Sequence, residues 1–146
     1  MFSKSCEYGI RAIIYIASEN EKGKKVGITE ICENIEAPAH FTAKILQILS
    51  RNRIVNSQKG VNGGFFLDEY QLDLKLVDVV TAIDGKAIFT GCGLGLKQCS
   101  ETNPCPLHNK FKAIRNDLKK MLEATTIGEL GQSLKKGKSV LKRIRV

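Results

Sequence analysis

The sequence predicts a mainly α fold that carries one small β-hairpin and a long helix toward the C-terminus. Three observations carry that reading. Apolar residues recur at helical spacing in five separate segments. One glycine-rich run, Gly60-Val61-Asn62-Gly63-Gly64, separates two short strand-like runs, Ile54 to Gln58 and Phe65 to Leu67. The last long segment repeats its apolar residues in alternating steps of four and three, the signature of a seam between helices.

The first segment runs from about Lys4 to Ser18. Ile10, Ile13, Ile14 and Ala17 share one face at the i, i+3, i+4, i+7 spacing. Glu19 to Lys25 reads as a solvated loop. A shorter second helix places Ile28, Ile31, Cys32 and Ile35 on one face. It stops at Glu36-Ala37-Pro38, because proline disfavours helix in the residue before it. Pro38 can itself open a third helix, where its missing N–H costs nothing. That helix is expected to turn Phe41, Ile45, Ile48 and Leu49 inward and to end near Asn52.

Helix, short helix, tight turn, helix and hairpin form the winged helix-turn-helix order. In that arrangement the third helix enters the major groove of DNA and its N-terminal residues meet base edges. His40, Thr42, Ala43, Lys44 and Gln47 are then the outward candidates, with Lys44 on phosphate. Further on, Leu76, Val79, Val80 and Ile83 form another helical face, stopped by Gly85. Residues 86–104 have no clear period. Pro106 is expected to start the long helix, whose seam is Leu107, Phe111, Ile114, Leu118, Met121 and Thr125. An ordinary core-facing stripe has the same spacing. Thr126-Ile127-Gly128-Glu129 has the capping-box pattern of a further short helix.

At 146 residues the chain can bury a real core without disulfide staples. Its formal net charge of +8 favours an anionic partner, nucleic acid or an acidic membrane surface. Residues 132–146 supply +6 of that +8, through six Lys or Arg and no acid. No apolar run approaches the about eighteen residues of a membrane span. The start Met1-Phe2-Ser3-Lys4-Ser5-Cys6 lacks the features of a secretory signal, so a cytoplasmic location and no membrane partner are expected. In a reducing compartment, five cysteines with three of them between Cys92 and Cys105 point to a metal or to redox chemistry.

These segments, in this order, resemble the family of bacterial transcription regulators that includes IscR and NsrR, from roughly Ser3 to Leu130. Tyr8 through Ala17 is similar to its first helix, and Lys44 through Leu49 to its recognition helix. Ser57 through Phe65 is similar to its wing, and Cys92, Cys99 and Cys105 to its cluster-binding loop. The resemblance implies a homodimer joined through the long helix and acting at promoters on a pseudo-palindromic operator. It adds Ser57, Lys59 and Asn62 to the DNA-contacting candidates. It divides the chain into a DNA-binding domain at 1–85, a cluster-binding loop at 86–105, a dimerisation helix with a short following helix at 106–131, and a basic tail at 132–146. Two departures stand out. Lys59 occupies a wing position where relatives often have arginine, which implies backbone contact or a different operator. The first cysteine gap is one residue longer than is common.

The loop reads Cys92-x6-Cys99-x5-Cys105-x2-His108. Thiolates suit iron–sulfur clusters, zinc or copper(I), and spacing alone does not separate zinc from iron. Gly91, Gly93 and Gly95 would let the backbone fold closely around an inorganic core, and a helix start at Cys105 would favour its thiolate. The resemblance implies an iron–sulfur cluster with one of two fourth ligands. Glu7, from the other subunit, matches the carboxylate of 4Fe-4S members, and His108 matches the histidine of 2Fe-2S members. Cys6 and Cys32 read as small apolar helix residues.

The glycines of the wing are followed by no Gly-Lys-Ser/Thr, and no nucleophile pairs with a base by spacing, so no enzyme activity is expected. Two classes of function remain: a cluster-controlled DNA-binding regulator, or a small redox or metal-binding protein (zinc or thiol-based) without specific DNA binding.

Overall fold

The computed structural model describes residues 1–97 and 99–143. The last three residues of the expected basic tail, 144–146, lie outside the described residues. Among the described residues eight helices and one hairpin follow in the order α1 (Lys4–Ser18), α2 (Ile28–Ile35), α3 (Ala39–Arg51), β1 (Asn56–Gln58), β2 (Gly64–Phe66), α4 (Glu69–Leu72), α5 (Leu76–Asp84), α6 (Ala87–Thr90), α7 (His108–Ala124) and α8 (Ile127–Lys135). The mainly α fold with a hairpin wing is the one the periodicities predict. The single-turn α4 and α6, and a 3-10 turn at Glu21–Gly23, are additions.

α1 is the spine. Ser3 caps it by accepting from the Cys6 N–H at 3.0 Å. The same hydroxyl donates to Asp84 Oδ1 at 2.5 Å, which ties the start of α1 to the end of α5. Ala12, Ile13 and Ile16 are fully buried and form one core with Ile31, Ile35, Ile45, Leu46, Leu49, Val79 and Val80. Each of the Ile, Leu and Val side chains among them contributes about 1.5–3 kcal/mol on burial. Cys6 joins that core as expected, and burial pushes its thiol up to about 12, so it is inert.

The inward stripe of α3 is Thr42, Ile45, Leu46 and Leu49, one residue round from the stripe read from the sequence. Phe41 is 56% exposed. Thr42 is buried because its hydroxyl donates to the Pro38 carbonyl at 2.8 Å, a partner that removes the cost of burying it. Thr42 is therefore a core residue and is withdrawn from the base-contacting set.

β1 and β2 pair antiparallel, with Asn56 opposite Phe66 and Gln58 opposite Gly64. Val26 adds a one-residue bridge on the far side of β2, exchanging bonds of 2.9 and 2.8 Å with Phe65. Gly64 makes that bridge possible. Its φ is +144°, and a Cβ there would stand 2.9 Å from the Val26 backbone. At the wing's root the buried Gln71 of α4 pairs with Asn56 through two 3.0 Å amide bonds. It also donates to the Arg53 carbonyl at 3.0 Å and accepts from the Asp68 N–H at 2.7 Å.

α8 packs against α1, and Ile127 and Leu122 are both fully buried in the same core. Thr126 and Glu129 form the capping box the sequence announces. The helix takes residues 132–135, so the tail proper begins at Lys136.

Candidate DNA-binding surface and cysteine loop

Two features meet at one end of the molecule. α3 exposes His40, Lys44, Gln47 and Arg51, with Ala43 half-buried between them. The wing exposes Ser57, Gln58, Lys59 and Asn62. Between them runs a cleft of about 410 Å³ lined by Gln47, Ser50, Arg51, Ser57, Gln58 and Lys59. No side chain in it is anionic, so its field favours a polyanion. Arg51 and Gln58 were missed in the sequence. Arg51 lies four residues beyond Gln47 and seven beyond Lys44, so extending that outward face would have found it.

The cysteine loop lies apart from this cleft, between α6 and α7. The three loop cysteines are free and half-buried. The backbone N–H of Leu94 donates to Cys92 Sγ at 3.4 Å and, followed by that of Leu96, holds the Cys92 thiol below its ordinary value. Cys99 Sγ lies 3.2 Å from His108 Nδ1 and 2.9 Å from Arg115 Nη2. Arg115 also donates to the Gly91 carbonyl, so one guanidinium grips both arms of the loop.

His108 is only 5% exposed, and its Nε2 lies 3.3 Å from Glu101 Oε2, too far off line for a hydrogen bond. Lys112 first, and then His108, hold the Glu101 carboxyl below the usual range. Neither Glu101 nor Arg115 was singled out from the sequence. Nothing in their spacing marks them, since they reach the loop from an irregular segment and from α7. Among the described residues, no three of His, Cys, Asp and Glu converge on a single metal position. The chemistry of the set nevertheless fits a thiophilic group: three thiols and a buried imidazole, with the Arg115 guanidinium at Cys99 favouring its thiolate.

Two local expectations change. α7 begins at His108 rather than Pro106, so Cys105 sits in the preceding turn, its carbonyl accepting from the His108 N–H at 3.0 Å. Gly93 makes room for a side chain and not for an inorganic core, because a Cβ there would strike the Phe111 ring. Glu7 sits on the first turn of α1, 3.6 Å from Lys4, in a surface cleft with Phe2, Ile10 and Arg11 and no residue of the cysteine loop.

A family profile described as Rrf2, Iron-dependent Transcriptional regulator, matches residues 2–133. The chain belongs to the Rrf2 family. A protein of Aquifex aeolicus named as an HTH-type transcriptional regulator is 30% identical over 132 residues, spanning 89% of this chain and 90% of that one. IscR of Escherichia coli is 25% identical over 123 residues, 84% of this chain and 75% of IscR. In fold, the chain is similar to CymR, the global cysteine regulator of B. subtilis, with a TM-score of 0.72 at 19% identity over 90% of this chain and 96% of CymR. IscR of T. potens gives 0.72 at 16% identity, covering 96% and 92%.

This Rrf2 protein is thus a winged-helix transcription regulator, and among its described residues no helix is long and apolar enough to cross a membrane. Its α7 carries a partly bare apolar stripe. Ile114 is 60% and Met121 47% exposed, while Phe111 and Leu118 are half-buried. Within the chain, α7 sends only His108 and Leu122 fully inward. Leu118 packs against the monomer's core and Phe111 against Gly93, while Ile114 and Met121 are left bare.

Proposed function

We propose that this Rrf2 protein binds promoter DNA as a homodimer and that an iron–sulfur cluster on the Cys92–Cys105 loop sets its operator affinity. The observation that carries the DNA half is the cleft between α3 and the wing, which carries Arg51 and Lys59 and no carboxylate. His40, Ala43 and Gln47 face base edges, while Lys44, Arg51 and Lys59 meet phosphates, with Ser57 and Asn62 adding polar wing contacts. Two copies joined along the exposed stripe of α7 present two such clefts to a pseudo-palindromic operator.

Cys92, Cys99 and Cys105 would hold the cluster. The 3.2 Å approach of His108 to Cys99 favours His108 as the fourth ligand, and Glu7 of the partner subunit is the alternative. When bound, such a cluster supplies a centre sensitive to nitric oxide, oxidants and iron supply. The chain's part is to keep the ligands in one loop, with Arg115 joining Gly91 to Cys99 and Phe111 seated against Gly93. The two DNA-binding states must hold the cluster with unequal affinity, because a ligand bound equally by both shifts nothing.

The Cys92 thiol, which accepts from the Leu94 N–H at 3.4 Å and is held below its ordinary value, favours a second reading, a metal-free regulator that responds through its thiols. Anaerobic absorption and Mössbauer spectra separate the two. A brown protein with cluster signals supports the first, and a colourless protein that answers to oxidant supports the second. Under the first, Cys92→Ala, Cys99→Ala and Cys105→Ala each lose the cluster and keep the folded dimer, since the core excludes that loop. Full iron content in any two of the three variants overturns the ligand set.

A further inference from the structure

Beyond α8 the chain turns back toward the helix-turn-helix. Lys142 Nζ donates to the Glu33 carbonyl of α2 at 3.3 Å, and the Leu141 side chain packs on the core. This return encloses a cleft of about 640 Å³, within the about 300–1,000 Å³ range of small-molecule sites. It is separate from the wing cleft and from the cysteine loop, sharing no lining residue with the wing cleft.

Its lining has two characters. Leu134, Val140 and Leu141 give an apolar wall, and Val140 is 65% exposed, so that wall stands in water. Lys142 and Arg143 give a cationic end. The other charges there are already matched: Glu19 lies 2.8 Å from Lys24, and Lys135 pairs with Glu21. Among the described residues, neither Lys142 nor Arg143 has a carboxylate within ion-pair distance. A surface built for phosphates needs cations and gains nothing from an adjacent apolar wall. An occupant with one negative group and an apolar body satisfies both halves.

We propose that this cleft is an effector site for a small amphipathic carboxylate, an anion carrying a linear apolar chain, and that its occupation changes operator affinity. Tyr15 of α1, Asn34 of α2 and Leu134 of α8 all line the cleft, so a bound molecule touches the first helix of the helix-turn-helix together with α1, which packs on it, and α8, which packs on α1. The coupling half rests on the DNA-binding reading above, and the binding half does not.

The test uses the full-length dimer and decanoate as the probe. Calorimetry without DNA is expected to give one saturable site per chain. Decanol, of equal length and no charge, should bind about tenfold more weakly or worse, and so should decanoate to Arg143→Glu and to Val140→Glu, each a loss of about 1.4 kcal/mol. Both substitutions are at exposed positions, and circular dichroism checks that the fold is intact. No saturable binding, equal affinity for decanol, or unchanged affinity in both variants overturns the site. Saturating decanoate should then shift the operator Kd by about threefold or more. Unchanged Kd overturns the effector role. A chain that binds decanoate but no operator overturns the DNA reading instead and upholds the ligand class of the cleft.

Discussion

Lys59 stands exposed on the wing beside the cleft that Gln47 and Arg51 line from α3. Its ammonium is a point charge, suited to phosphate rather than to a base edge. Lys59→Ala should weaken binding to operator and random DNA alike. It should also lower the slope of log K against log salt by about one unit per wing, about two for the dimer. A change in preferred sequence at fixed salt would mean that the wing reads bases. His40→Ala and Gln47→Ala should do the reverse, relaxing base preference in a binding-site selection while the salt slope stays nearly constant. Thr42→Val makes the contrast. It should leave both DNA properties unchanged and cost about 1 kcal/mol in urea unfolding, for one hydrogen bond to Pro38 lost without loss of shape. The periodicity of α3 was legible, but its phase was not. Counting hydrophobicity alone puts Phe41 inside and Thr42 outside, and only the Pro38 carbonyl reverses them.

At the scale of elements, the wing depends on Gly64. Gly64→Ala should break the Val26–Phe65 bridge and cost about 1–3 kcal/mol of local strain. DNA binding should fall while the helical circular dichroism signal stays. Unchanged DNA affinity in that variant would show that the bridge does not set the wing's position. The seam on α7 is best tested at Ile114, which is more exposed than the half-buried Leu118. Ile114→Lys places a charge where it would meet its own copy at a two-fold interface. Light scattering should then report monomer with little change in the thermal midpoint of unfolding at low concentration. An unchanged dimer would move the interface elsewhere.

The long helices were legible because their apolar spacing spans two turns or more, and α8 because Thr126 and Glu129 mark its start. α4 and α6 were not. A single turn holds too few residues for a period, and the anchor of α4 is Gln71, a buried polar residue that no hydrophobic pattern reports. The cysteine loop shows the same division. Its donors were readable from Cys92, Cys99, Cys105 and His108. The residues that hold them, Arg115, Glu101 and Phe111, come together only in three dimensions.

For the whole molecule, the N-terminal helices and the C-terminal pair share one core through Leu122 and Ile127. The cysteine loop hangs between α6 and the start of α7, and α7 in turn packs on α5 of the DNA-binding unit. The loop is thus joined to the winged helix through packed helices, the route by which the proposed control would act. Control of operator binding by the state of the loop is tested by measuring operator affinity with and without iron. Operator DNA is selected from a random pool, labelled, and titrated anaerobically by fluorescence anisotropy with protein before and after removal of its iron by a chelator. Iron-loaded and iron-free protein should differ in operator Kd by about tenfold or more, at least about 1.4 kcal/mol of coupling, with random DNA bound equally by both. An operator Kd that does not change with iron content would contradict that control.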